Sequence, residues 1–379
     1  MFLHLMQPDK KFLAEIRSMF EEAAPGEHRY VAVGSSPGGD WLPEYVIHVR
    51  DSAGLADIVS GDQRWQGVVI HGLPFSVAGS LLNLLPHDVR VAWYVWGFEA
   101  YGTWPPLTRS LYLPETRHVL GRVARPRWKR WASPLKRAVL ARKRMHEARR
   151  VVSRYDYCVT QYREEYELFV ASGLLTKTRY HQGSVGAFED FVEDDVPLSL
   201  GDDIQLGNSA DPANNHLDAF RFLRNPQLEP RKVVVPLSYG DPRYAAAVST
   251  IGREELGNRF VPLTEFLALP EYLRVIASCG HVVMNHLRQQ ALANIYAALW
   301  RGASVYMNDT PAFRGLRRLG FSVHLIEEEF RTNGAVKLPV LSQRQIAANR
   351  SLLQEYLGRP TVVAQTAALL DKLNSGSRV

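Results

Sequence analysis

A few polar clusters at the ends of apolar runs carry most of the chemistry this chain can offer. Gly207-Asn208-Ser209 lies between the short run Ile204–Leu206 and an amphipathic stretch from His216 to Leu223. Asn214 and Asn215, just ahead of that stretch, are residue types that cap helices. A polar turn that feeds a helix N-terminus offers free backbone N–H groups and the positive end of the helix dipole, and the usual guest is a phosphate. Tyr239 follows the β-branched run Val233-Val234-Val235-Pro236, where its ring could stack on a base or its hydroxyl bond a phosphate. Arg288-Gln289-Gln290 precedes the helical pattern ALANIYAALW, so a guanidinium fork and two amides sit at a helix start and suit a diphosphate. Asn308 ends the run SVYM. In the first half of the chain His71-Gly72 closes GVVI, and Trp96-Gly97-Phe98-Glu99 closes an aromatic strand. A carboxylate in an aromatic-walled loop loses solvation, which raises its pKa and suits it to accept a proton.

Each cluster also has a plainer reading. Asn208-Ser209 can be a simple turn, Arg288 can sit in a solvated surface loop, His71 can be a structural strand end, and Glu99 can be a surface acid beside packed tryptophans. Together they describe one reaction. The diphosphate of a nucleotide-sugar donor is held by Asn208, Ser209, Tyr239, Arg288, Gln289, Gln290 and Asn308, and fixed donors stabilise the charge of the departing diphosphate. An acceptor hydroxyl, flanked by Trp96 and Gly72, loses its proton to Glu99, with His71 the second candidate. The chain holds no D-x-D, G-x-G-x-x-G or G-x-x-x-x-G-K-[ST] sequence, so the expectation is a transfer without metal or cofactor.

The elements that must position these residues alternate. Strands are expected at Phe2–Met6, Tyr30–Val33, Tyr45–Val49, Gly67–His71, Val89–Val95 and Asp156–Thr160, with helices at Lys10–Ala23, Ser52–Val59, Ser76–Leu84 and Glu164–Ala171. An acidic, turn-rich stretch, Phe188–Asp203, reads as a linker. Beyond it the same alternation resumes: strands at Ile204–Leu206, Val233–Val235, His281–Asn285 and Ser304–Met307, helices at Arg243–Glu255, Pro270–Ser278 and Gln290–Arg301, then two closing helices. This pattern predicts an α/β chain of two Rossmann-like parallel-sheet domains facing a cleft. The expected divisions are 1–197, 198–345 and a helical tail 346–379 that packs back on the first domain.

With 379 residues, 46% hydrophobic and 22% charged, the composition is that of a globular protein of about two domains. The two cysteines, Cys158 and Cys279, have no metal or disulfide spacing. The start MFLHLMQPDKK reads as no signal peptide, and no apolar run reaches membrane-spanning length. The net charge of +6 is uneven. Residues 121–154 carry 13 Lys or Arg against one acid, Glu147, which gives +12 there and 6 − 12 = −6 elsewhere. Within this segment Arg127, Trp128, Lys129, Arg130, Trp131, Lys136 and Arg137 combine basic residues with aromatic ones, although Pro134 breaks or restarts any helix. A basic face edged with tryptophan suits an anionic membrane surface. Nucleic acid is the rival guest, but no recognised nucleic-acid motif accompanies the charge; a plain solvated basic face is the third reading.

The blocks G-N-S-x-D-x-x-N-x-H (Gly207–His216), V-V-V-P-x-x-Y (Val233–Tyr239) and R-Q-Q (Arg288–Gln290), with H-G (His71-Gly72) and W-G-x-[DE] (Trp96–Glu99), resemble the TDP-4-acetamido-4,6-dideoxygalactose:lipid II transferases of enterobacterial common antigen assembly, glycosyltransferase family 56. The resemblance covers most of the chain. It implies a GT-B fold, an inverting and metal-independent transfer, a TDP-sugar donor and a polyprenyl-diphosphate-linked saccharide acceptor at the cytoplasmic face of the bacterial inner membrane. It also implies donor contacts at Asn208, Tyr239 and Arg288, and a base at Glu99. Where the family has glycine after R-Q-Q this chain has Ala291, and the acid of W-G-x-[DE] is Glu99 rather than aspartate. A non-catalytic nucleotide-sugar-binding scaffold and a non-hydrolysing sugar-nucleotide epimerase remain as alternatives, because a two-domain fold does not itself fix function.

Overall fold

The computed structural model describes residues 1–8, 12–34, 42–59, 64–123, 134–192, 201–330, 336 and 338–375. The basic residues Arg127, Trp128, Lys129, Arg130 and Trp131 lie outside them, as do the side chains of Lys136 and Arg137. The chain divides into two compact units, each assembled from separate stretches. The first comprises Met1–Thr108, Pro134–Asp190 and Tyr356–Val379; the second comprises Arg109–Ser133 and Phe191–Glu355.

In the first unit the strands are β1 (Phe2–Met6), β2 (His28–Val33), β3 (Val46–Val49), β4 (Gly67–His71), β5 (Val91–Tyr94), β6 (Tyr157–Thr160) and β7 (Arg179–Gln182). They form one parallel sheet in the order β3-β2-β1-β4-β5-β6-β7. The central strands β1, β4 and β5 are buried along their whole length, as expected for a parallel sheet covered on both faces. One face packs on the helix Leu13–Ala23, through Leu13, Ile16 and Phe20, and on the C-terminal helix Arg359–Asn374, through Leu369, Leu370 and Leu373. That last helix belongs to the first unit for a further reason: Arg359 pairs with Glu22 and Asp190 at 2.9 Å each.

In the second unit β8 (Ile204–Leu206), β9 (Val233–Pro236), β10 (Phe260–Leu263), β11 (His281–Met284), β12 (Ser304–Met307) and β13 (His324–Leu325) form a parallel sheet in the order β10-β9-β8-β11-β12-β13. The order reverses between β8 and β11, the point where doubly wound sheets open a crevice at their carboxyl ends. The helix Pro114–Val123 is drawn into this unit because the Asp218 carboxylate accepts from the N–H groups of Glu115 and Thr116 at 2.9 and 3.0 Å. Asn215 adds a bond from Leu113 N–H at 2.8 Å.

The expected elements are present with shifted ends. Strand Tyr30–Val33 extends back to His28, Val89–Val95 shortens to Val91–Tyr94, and the helix expected from Lys10 begins at Leu13. Strands β7, β10 and β13 escape the sequence pattern. Their residues, RYHQ, FVPL and HL, are polar, proline-broken or too short, and in their sheets β7, β10 and β13 occupy edges, where one-sided pairing relaxes the demand for an apolar run.

Candidate functional site

Gly207 opens the second unit's site. It follows β8 with φ +66°, and a Cβ there would lie 2.6 Å from Asn214 Oδ1 and 2.8 Å from His216 Nε2. Only glycine meets both conditions. The turn it starts is held by one side chain. Asn214 Oδ1 accepts from Asn208 N–H at 3.0 Å and from His286 Nε2–H at 2.7 Å, and Asn214 Nδ2 donates to the carbonyls of Ser209 and Asp211 at 3.1 and 3.0 Å. Burial, with Arg288 and His216 adding to it, lowers the His286 pKa well below the usual histidine range, so His286 is a neutral donor here.

The predicted donor contacts fall into two groups. Asn208, Tyr239, Arg288 and Gln290 gather above the ends of β8, β9 and β11. Asn208 Nδ2 donates to Tyr239 Oη at 2.9 Å, while Asn208 Oδ1 is buried without a partner. Arg288 Nη2 meets Asp211 Oδ2 at 3.2 Å, and Gln290 Nε2 reaches the same oxygen at 3.4 Å. The Oε1 atoms of Gln289 and Gln290 are likewise buried and unpartnered. A buried polar atom without a partner is costly, so this cluster is suited to a polar guest. Ser209 and Asn308 are turned to structural use. Ser209 Oγ lies 3.3 Å from both Asn214 Nδ2 and Asp211 N. Asn308 Nδ2 donates to Asn285 Oδ1 and His286 O at 2.9 and 3.0 Å.

Asp211 was not singled out by the sequence, although it is the acid of the G-N-S-x-D block. Its Oδ1 caps the turn through Ala213 N–H at 2.9 Å, and its Oδ2 gathers Arg288 and Gln290. Tyr112 stands close enough to both charges that, after burial, Asp211 raises its pKa and Arg288 lowers it. Ala291, at the start of the helix Leu292–Arg301, has φ +59°. An L-residue with a Cβ is strained in that region, so the position favours glycine.

In the first unit the predicted residues divide between the two faces of the sheet. Adjacent residues on a strand point opposite ways, and Trp93 and Tyr94 on β5 do so. Glu99 belongs with Trp93: its Oε1 accepts from Trp93 Nε1–H at 3.1 Å and from Trp96 N–H at 2.8 Å, while its Oε2 is buried without a partner. Burial raises the Glu99 pKa, against the pull of these N–H donors. His71 belongs with Tyr94, stacking on its ring at 5.1 Å. Burial lowers the His71 pKa to about 3, so His71 is neutral and a weak base. The loop between them is set by glycine. Gly72 has φ +51°, and a Cβ there would fall 2.4 Å from the Trp96 ring. Among the described residues no group of three or more His, Cys, Asp or Glu is disposed to hold a metal ion, and no helix is long and apolar enough to cross a membrane.

Solved structures share this architecture. Sucrose-phosphate synthase from Thermosynechococcus elongatus superposes with a TM-score of 0.55 at 11% identity, over 98% of this chain and 94% of that one. The E. coli "Trehalose-6-phosphate" structure bound with UDP-2-fluoro glucose gives 0.60 at 12% identity, over 100% of both chains. The Candida albicans trehalose-6-phosphate phosphatase N-terminal domain gives 0.61 at 10% identity, over 99% and 98%. Comparison with curated proteins gave no match. The two parallel-sheet α/β domains are therefore of the GT-B glycosyltransferase type. Residues 135–339, more than half of the 379, match the family described as 4-alpha-L-fucosyltransferase glycosyl transferase group 56. The chain belongs to that family and is a glycosyltransferase.

Proposed function

We propose that the protein is an inverting, metal-independent glycosyltransferase that moves a deoxy-amino sugar, 4-acetamido-4,6-dideoxygalactose or a close relative, from TDP to a polyprenyl-diphosphate-linked saccharide in bacterial surface-glycan synthesis. The second unit takes the TDP-sugar and the first takes the acceptor. The observation that carries the reading is the cluster of Asn208, Tyr239, Arg288 and Gln290 around Asp211, with three buried amide oxygens unpartnered among Asn208, Gln289 and Gln290. The guanidinium and the N–H groups of the turn stabilise the diphosphate as the sugar bond breaks.

Glu99 is the base in this reading. Its raised pKa makes it the better proton acceptor, while the neutral His71 has too little affinity for a proton. The acceptor hydroxyl attacks the anomeric carbon, its proton passes to the carboxylate, and TDP departs with the bonding electrons.

The protein works at the cytoplasmic face of the inner membrane as a peripheral protein. In the helix Pro134–Val152 the exposed apolar Val139 and Leu140 adjoin exposed Arg142, Lys143 and Arg144, a mixture suited to anionic headgroups. The test is transfer of radiolabelled sugar from TDP to a lipid-linked saccharide without added metal. Transfer with inversion supports the reading. Donor rearrangement without acceptor, or no turnover with any TDP-sugar, overturns it.

A further inference from the structure

One tyrosine hydroxyl joins the two sets of residues that make up the second unit's polar cluster. Tyr272 lies on the helix Leu269–Ile276. Its hydroxyl sits between two amide side chains, with Gln205 Nε2 at 3.2 Å and Asn294 Oδ1 at 3.0 Å. Gln205 belongs to β8, and Asn294 to the first turn of the helix Leu292–Arg301. Leu273 and Ile276 cluster with Ala297 of that second helix, and Tyr272 packs against the same group. Apolar contact therefore holds the tyrosine beside the helix it bonds.

The hydrogen-bond directions follow from a carbonyl. Gln205 Nε2 reaches Gly207 O at 3.1 Å. A carbonyl oxygen only accepts, so the amide nitrogen of Gln205 is fixed at that end, and its second N–H donates to Tyr272 Oη. Burial, with Tyr239 close by, raises the Tyr272 pKa, so the hydroxyl keeps its proton. Gln205 offers that proton no acceptor, and it goes to Asn294 Oδ1. From Gly207 O to Asn294 Oδ1, each link pairs a donor with an acceptor.

The two ends of this chain are the two halves of the cluster. Gly207 opens the turn that carries Asn208 and is held by Asn214. Asn294 stands in the helix that Arg288, Gln289 and Gln290 lead into. Bonds from His286 to Asn214 and from Arg288 to Asp211 tie the loop ahead of that helix to the turn. Tyr272 ties the helix itself to the strand that enters the turn.

We infer that Tyr272 is a positioning residue for the donor diphosphate: its hydroxyl fixes the spacing between the Gly207-Asn208 turn and the Arg288-Gln289-Gln290 stretch, so that both meet one diphosphate. The inference rests on the proposed donor role of this cluster and deepens it. A diphosphate spans both sets of donors, whereas a monophosphate engages one set. The spacing therefore matters to the diphosphate alone.

Calorimetry on the full chain with TDP and with TMP tests this. Tyr272→Phe keeps the ring and removes the bridge; it should weaken TDP binding about five-fold and leave TMP binding within about two-fold. Asn294→Ala cuts the same bridge at a half-buried helix position and should reproduce the selective loss, so the test stands even if Tyr272→Phe does not fold. Added to Arg288→Ala, Tyr272→Phe should weaken TDP binding by less than it does alone, because groups that act through one another are not additive. A folded variant with unchanged TDP affinity overturns the inference. So does equal weakening of TDP and TMP, which a general loosening of the unit would give, and so does full additivity with Arg288→Ala. Absence of TDP binding by the wild type overturns the donor reading itself, and the inference with it.

Discussion

Arg288 and Asp211 are joined by one contact, Nη2 to Oδ2 at 3.2 Å. The arginine best suited to a diphosphate is thus already shared with a carboxylate on the turn that would cradle it. Asp211→Asn keeps an oxygen to cap Ala213 N–H but removes the charge. Allowing for the partial exposure of Asp211, the variant should bind TDP more tightly by about 1 kcal/mol, roughly five-fold. Calorimetry decides this, and weaker binding would mean that Asp211 assists the guest.

Glu99→Gln should lower kcat on the order of 100-fold at unchanged TDP affinity. Near-normal turnover would remove Glu99 as the base. The same variant makes a prediction about stability. Burial raises the pKa of Glu99 in the folded state, so its favourable contribution is complete below the unfolded value and is lost as pH rises through the folded value. Glutamine does not titrate. The melting temperature of Glu99→Gln relative to wild type should therefore rise with pH from about 4.5 upward, and a difference that falls with pH would contradict this.

Ala291→Gly should stabilise the protein by about 1 kcal/mol, because alanine at φ +59° is strained and glycine is not. A rise in melting temperature of about 2–4 °C is expected. A fall would mean that the αL conformation at Ala291 carries no strain.

The membrane reading is tested by liposome flotation. Binding should require anionic lipid and weaken at high salt, where surface charges are screened. Flotation on neutral vesicles, indifferent to salt, would contradict it.

The cluster at the end of β8 was legible where chemistry is local. Gly207-Asn208-Ser209 and Asn214 interact across six residues or fewer, so a turn ahead of a helix already suggests them. Arg288 was legible as a cation at a helix start. Its partner Asp211, 77 residues away, was not. Ser209 and Asn308 looked like ligand contacts because they sit at strand ends, but they satisfy neighbouring backbone and side-chain groups. In the first unit the pair Glu99 and His71 looked convergent. Sheet alternation places them with Trp93 and Tyr94 on opposite faces, and sequence spacing alone carries no such information. His4 is hydrogen-bonded to His28 and to His71, 24 and 67 residues away, and these become neighbours only through strand order.

The most direct test of the account is calorimetric titration of TDP into the wild type and into Arg288→Ala. In the proposed function the guanidinium is a charge-assisted diphosphate contact, so its removal should weaken binding by about 2 kcal/mol, roughly thirty-fold. Equal TDP affinity in the two proteins, or no TDP binding by the wild type, would contradict the account.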